Sequence, residues 1–161
     1  MTVDIQQLSD WIAIRELTER YTMGVTCRDW DAVASCYHEH ANWRAPQVGM
    51  DFKGREALVS GIRGSVEANP FQLQMQHALV IDSLTHDRAT ARSILHEVLK
   101  HTPDEPGSSF LGIYNDVITK PDGVWKFESR RFDIHLMDAT GLEGQIMVDY
   151  ASLLRPPVAA K

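Results

Sequence analysis

The chain has 161 residues, a formal charge of −6, and 43 % hydrophobic against 24 % charged side chains, with two cysteines, Cys27 and Cys36. This composition describes one soluble globular domain that needs neither disulfide nor metal, and the acidic balance excludes a typical nucleic-acid partner. No run approaches the roughly 18 apolar residues of a membrane span. Met1-Thr2-Val3-Asp4-Ile5 lacks the features of a secretory signal, and the cysteines read as two buried thiols of a reducing compartment, so the cytoplasm is the expected location.

Helical periodicity opens the chain, with Ile14, Leu17, Tyr21, Gly24 and Val25 on one side and Arg15, Glu16, Glu19 and Arg20 on the other. Ser9 or Asp10 is a candidate cap, or Leu8 and Ile5 extend the helix backwards. Asp31 is placed to cap a second short helix through residues 32–37. Ala41-Asn42-Trp43-Arg44-Ala45-Pro46 reads as a short strand ended by proline, and residues 55–62 after Gly54 as a third helix. Strands follow Pro70. Phe71, Leu73, Met75, His77, Leu79 and Ile81 alternate with Gln72, Gln74 and Gln76, which predicts a strand with His77 on its apolar face. Residues 88–99, 109–118 and 124–134 predict three further strands, the last two joined by the turn Pro121-Asp122-Gly123. After Ala139, Gly141 and Gly144 loosen the chain, a short helix is expected from Ile146 to Leu154, and Pro156-Pro157 ends it.

Helices first and an antiparallel sheet afterwards predict an α+β fold. Four stretches carry a resemblance that spans roughly residues 5–138: Ile14-Arg15-Glu16-Leu17 with Arg20-Tyr21, Arg28-Asp29-Trp30-Asp31, Gln76-His77, and Asp122-Gly123-Val124-Trp125-Lys126-Phe127. In order and spacing they resemble the SnoaL-like branch of the nuclear transport factor 2-like superfamily. Its members include scytalone dehydratase, bile acid 7α-dehydratase, hexachlorocyclohexane dehydrochlorinase, isomerases and polyketide cyclases. The resemblance implies a cone-shaped α+β barrel, with N-terminal helices packed on a strongly curved mixed or antiparallel sheet that encloses an apolar pocket. It assigns residues 1–138 to that domain and leaves 139–161 as an extension that closes the pocket or reaches a neighbouring subunit. It also implies a homo-oligomer, dimer or trimer.

The dehydratase-type members pair an aspartate in the first helix with a histidine on the first long strand, and His77 falls on the histidine position. Thr26 stands where the aspartate is expected. A hydroxyl holds an imidazole through one hydrogen bond but does not stabilise an imidazolium as a carboxylate does. Three alternatives stay open: a weaker base, a substitute acid such as Asp116, or changed chemistry. Tyr21 and Tyr114 match substrate-contacting tyrosines of relatives, and each also suits a core aromatic. Trp43 reads as pocket wall. Arg131 either binds a substrate anion or pairs with Asp133 or Asp116, and the inward face of its strand is open between Arg130 and Arg131. His96 and His101 have opposite parity on the second strand, so at most one of them faces the pocket.

The expectation is a cofactor-independent lyase of the dehydratase type acting on a hydrophobic, aromatic or polycyclic small molecule. His77, Tyr21 and Thr26 form its catalytic set, and Tyr114, Trp43, Arg131, Asp116 and His96 contact the substrate. The alternatives are an isomerase or cyclase using the same base, or a non-catalytic ligand-binding module. Neither metal-ligand clusters nor phosphate-binding glycine loops appear in the sequence.

Overall fold

The computed structural model describes residues 4–140 and 143–153. Asp4 caps α1 (Ile5–Cys27) by accepting from the Gln6 amide at 2.9 Å, and the helix buries Ile14, Leu17, Tyr21 and Val25 along one stripe. The expected caps Ser9 and Asp10 lie inside the helix. Asp10 instead accepts from Lys120 Nζ at 2.6 Å and Trp125 Nε1 at 2.9 Å, which ties α1 to the turn before the last strand. Arg28 ends α1 in the left-handed region at φ +60°. That conformation is uncommon for a side-chain-bearing residue, and here the guanidinium anchors it, donating to the Asn69 carbonyl at 2.6 Å. The short α2 (Trp30–Ser35) is capped by Asp29 rather than Asp31.

β1 (Tyr37–Ala45) turns back through a single 3-10 turn at Pro46–Val48 into β2 (Met50–Lys53), a four-residue strand too short for alternation to reveal. α3 (Arg55–Glu67) runs beyond the expected Ile62. β3 (Phe71–Leu84), β4 (Arg88–Lys100), β5 (Ser108–Thr119) and β6 (Lys126–Asp138) follow, then α4 (Tyr150–Leu153). The helix expected from Ile146 therefore starts later, and Leu154 lies outside the described residues.

The strands form one sheet in the order β2-β1-β6-β5-β4-β3, antiparallel except for the parallel pair β1–β6. α1 packs on β3, and α3 on β1 and β2, giving the expected α+β arrangement. The sheet does not close into a barrel, because β2 and β3 remain its edges.

Bulges decide which side chains look inward. In β3, Gln76 pairs with Leu95 and Leu79 with Ser93, so an extra residue sits at His77-Ala78. Before the bulge the buried positions are Gln72 and Gln74; after it, Leu79 and Ile81 pack on the core. In β6, Ser129 pairs with Val117 and Phe127 with Ile118, so Glu128 is extra and Arg130 turns inward while Arg131 turns out.

Arg130 is fully buried and bonds Asp116 through Nε at 3.0 Å and Nη2 at 3.1 Å. Its guanidinium lies 4.3, 3.9 and 4.2 Å from the ring centroids of Tyr21, Tyr114 and Phe127. Removing one partner strands the other charge. Arg130→Met is therefore expected to cost about 3–5 kcal/mol of unfolding free energy in urea titrations, and the double variant Asp116→Leu/Arg130→Met to recover most of it.

Candidate active site

Between α1, α3 and the inner face of the sheet lies a cavity of about 470 Å³. Trp43, Ala45, Val48, Met50, Ile62, Val66, Leu99, Phe110, Phe132 and Ile134 make most of its wall. Besides Ser60 and Ser65 of α3, the polar lining falls in two groups. Tyr21 and Tyr114 form one, and Asn69, Gln72, Gln74, Glu97 and His101 the other.

The phenols of Tyr21 and Tyr114 are 3.4 Å apart. Burial pushes both well above the ordinary phenol range, so each keeps its proton. Only one can donate to the other, and the buried Tyr37 phenol packed against Tyr21 is a further partner for the remaining O–H. Behind them, burial raises Asp116 to about 6 against the opposing pull of Arg130.

Glu97 is the carboxyl of the second group. β4 turns Leu95, Glu97 and Leu99 inward, and Gln74, directly opposite Glu97 on β3, donates Nε2 to its Oε2 at 2.5 Å. Burial raises the Glu97 carboxyl above its usual range, while hydrogen bonds from Gln74 and Gln72 oppose the rise. Gln72 Oε1 accepts from Asn69 Nδ2 at 3.1 Å, and Asn69 Oδ1 faces His101 Nδ1 at 3.1 Å. Because Asn69 Nδ2 also donates to the Ser65 carbonyl, Asn69 Oδ1 is the acceptor and His101 Nδ1 carries the hydrogen. His101 Nε2 then faces the Ser108 hydroxyl at 3.4 Å. An amide belt thus links a buried carboxyl to an exposed imidazole on the cavity wall.

The structure redistributes the expected site residues. Tyr21, Tyr114 and Trp43 line the cavity. His77 does not: it is exposed at the β3 bulge, its ring stacked 6.3 Å from His96 on the opposite face of the sheet. The inner face of β3 belongs to Gln72, Gln74 and Gln76, so His77 shares the outward parity of Phe71, Leu73 and Met75, and the bulge re-aims only the residues after it. His96 shares the outward parity of Met75 opposite it, and the histidine of the cavity wall is His101, just past the end of β4. Thr26 does not touch an imidazole. Its Oγ1 accepts from the Gln74 backbone N–H at 3.1 Å and so pins β3 to α1. Arg131 pairs with Asp133 at 2.7 Å on the outer face, and Asp116 is engaged by Arg130. Sequence reasoning missed Glu97, Gln72, Gln74 and Asn69. The available signal was the Gln-x-Gln-x-Gln period of β3, an unusual run of amides for a solvent-facing strand edge. Among the described residues no group of three or more His, Cys, Asp and Glu is placed to hold a metal ion, and no helix is long and apolar enough to cross a membrane.

Glu97 carries a pH signature. Above the ordinary value of 4.5 the unfolded chain has lost this proton while the folded chain still holds it, so stability falls as pH rises through the elevated range. Glu97→Gln removes that slope. Melting curves should show the variant more stable than the parent at alkaline pH, with the two converging in acid.

A family model described as the SnoaL-like domain matches residues 6–131. No curated protein matches the chain. Among solved structures, the hexachlorocyclohexane dehydrochlorinase LinA-type3 from Novosphingobium barchaimii superposes with a TM-score of 0.78 at 20 % identity, over 91 % of this chain and 99 % of its own. A provisionally assigned scytalone dehydratase from Novosphingobium aromaticivorans gives 0.75 at 20 % identity, over 87 % and 93 %. A Mycobacterium tuberculosis protein of unknown function gives 0.69 at 23 % identity, over 80 % and 73 %. At these identities the likeness shows the fold. The match to the family model covers most of the chain, and by it the chain belongs to the SnoaL-like domain family, with the nuclear transport factor 2-like fold.

Proposed function

We propose that the chain is a cofactor-independent lyase that eliminates a small leaving group from a hydrophobic, ring-bearing molecule, with Glu97 rather than His77 as the base. The observation that carries this reading is a buried carboxyl, held by Gln74 and raised by burial, in the wall of an otherwise apolar cavity. A carboxylate with an elevated pKa is a stronger base once ionised, and removal from water prevents it from being levelled by solvation. In the step, a Glu97 oxygen forms a bond to a proton on carbon and the C–H pair becomes the new double bond. The leaving group departs with its own bonding pair, as halide, or as water when the Glu97 carboxyl passes the proton it has taken to the departing hydroxyl. The protonated phenols of Tyr21 and Tyr114 on the cavity wall suit the role of donor to a substrate oxygen on which charge develops. The dehydratase and dehydrochlorinase names of two structural neighbours support elimination as the reaction class.

The same base and donor also suit an isomerase, in which an enolate forms and no group leaves. Product mass separates the two, because dehydration loses a water and isomerisation loses nothing.

Chloride release from hexachlorocyclohexane and water loss from scytalone are the starting assays. Glu97→Gln is expected to lower turnover by roughly 10²–10⁴-fold, while His77→Ala leaves it unchanged. An active Glu97→Gln enzyme, or an inactive and well-folded His77→Ala enzyme, overturns the assignment of the base.

A further inference from the structure

Two of the three inward glutamines of β3, Gln74 and Gln76, have opposite hydrogen-bond balance. Gln76 is satisfied at both ends: Nε2 donates to Thr18 Oγ1 at 3.0 Å, and Oε1 accepts from Thr22 Oγ1 at 3.4 Å. Gln74 is satisfied at one end only. Its Nε2 is committed to Glu97, while Oε1 is buried without any partner in a side chain that lines the cavity. An unmet buried acceptor costs about 1–3 kcal/mol, so such atoms are rare unless something else fills them.

With Glu97 ionised, as it must be to act as the base, turning the amide over would not relieve Gln74. The carbonyl oxygen would then face the Glu97 carboxylate, oxygen against oxygen, and the backbone is held by Thr26 from the other side. The ionised carboxyl thus fixes the amide with its oxygen left over. Gln76, one inward position along, has no such commitment and turns both ends to α1.

We infer that Gln74 is the specificity-determining residue of the cavity: its free Oε1 accepts a hydrogen bond from a hydroxyl or N–H of a neutral ligand, selecting donor-bearing ligands over isosteric ones without a donor. This rests on the reading of the cavity as the substrate site and narrows its substrate to hydroxylated or amino-bearing rings. A halogen in the same place has no hydrogen to offer and leaves Oε1 unmet. A hydroxyl bound there lies beside the Glu97 carboxyl, which makes water a better-recognised leaving group than halide.

The test uses two probes of nearly equal shape that carry no leaving group, 2-naphthol and 2-methylnaphthalene, with binding followed by ligand fluorescence and corrected for partitioning into octanol. The wild-type chain should prefer the naphthol on the order of tenfold, as expected when a site built for a donor meets an analogue without one. Gln74→Met should abolish the preference and Gln76→Met preserve it. In case Gln74→Met does not fold, the Gln74 side-chain amide resonance of the wild-type protein provides the second readout. It should shift with 2-naphthol and not with 2-methylnaphthalene. Equal corrected affinities for the two probes, or a preference that survives Gln74→Met, overturn the role of Gln74 even if elimination activity is present. Failure of both probes to enter the cavity overturns the site reading and this inference with it.

Discussion

Arg130 holds a full positive charge inside the apolar core, and the groups packed against it are organised around keeping it there. A guanidinium cannot shed its proton to escape burial, so the charge must be met by a partner or expelled. Asp116 meets it with two hydrogen bonds, and the rings of Tyr21, Tyr114 and Phe127 cover it within 4.3 Å. Asp116 and Arg130 are direct partners across the β5–β6 ladder. A slip of one residue in either strand would part them and leave two buried charges unpaired, so the pair specifies the register.

That register then passes from strand to strand. With Asp116 inward, Tyr114, Gly112 and Phe110 follow on the same face of β5. Phe110 lies opposite Glu97 on β4, and Glu97 opposite Gln74 on β3. One buried ion pair thus places a phenol, a carboxyl and an amide around the same space. Thr26 closes the row by binding the Gln74 backbone from α1. Thr26, standing where a carboxylate is expected, therefore acts on the geometry of the strand, and the carboxyl of the cavity wall, Glu97, lies on β4.

The described part of the C-terminal extension works at the edge of this arrangement. Tyr150 exchanges hydrogen bonds with the backbone N–H and carbonyl of Gln72, and its ring lies 3.7 Å from the Arg28 guanidinium. It occupies hydrogen-bonding groups on an otherwise open sheet edge. The wall residue Gln72 is thus anchored on the outside by Tyr150 and on the inside by Asn69.

The sequence by itself determined the types and order of the elements apart from the short β2, because hydrophobic periods of helix and strand and the turn at Pro121-Asp122-Gly123 are local properties of the chain, and its four motif stretches carried the resemblance to the family. It also carried the aromatic residues of the cavity, Tyr21, Trp43 and Tyr114, whose size and spacing leave few other places for them. The chemical wall was decided only by the tertiary structure. Alternation of side chains tells which residues share a face, but a bulge reverses the pattern without changing the composition around it. The glutamines rather than the apolar residues took the inner face of β3 and put His77 outside; the extra residue at His77-Ala78 then returned Leu79 and Ile81 to the core, and the one at Glu128 exchanged Arg131 for Arg130. Both bulges are set by pairing with the neighbouring strand, information that no single strand contains. Glu97 remained hidden for the same reason: one glutamate in an apolar strand becomes a candidate base only when the sheet turns it toward a dry cavity.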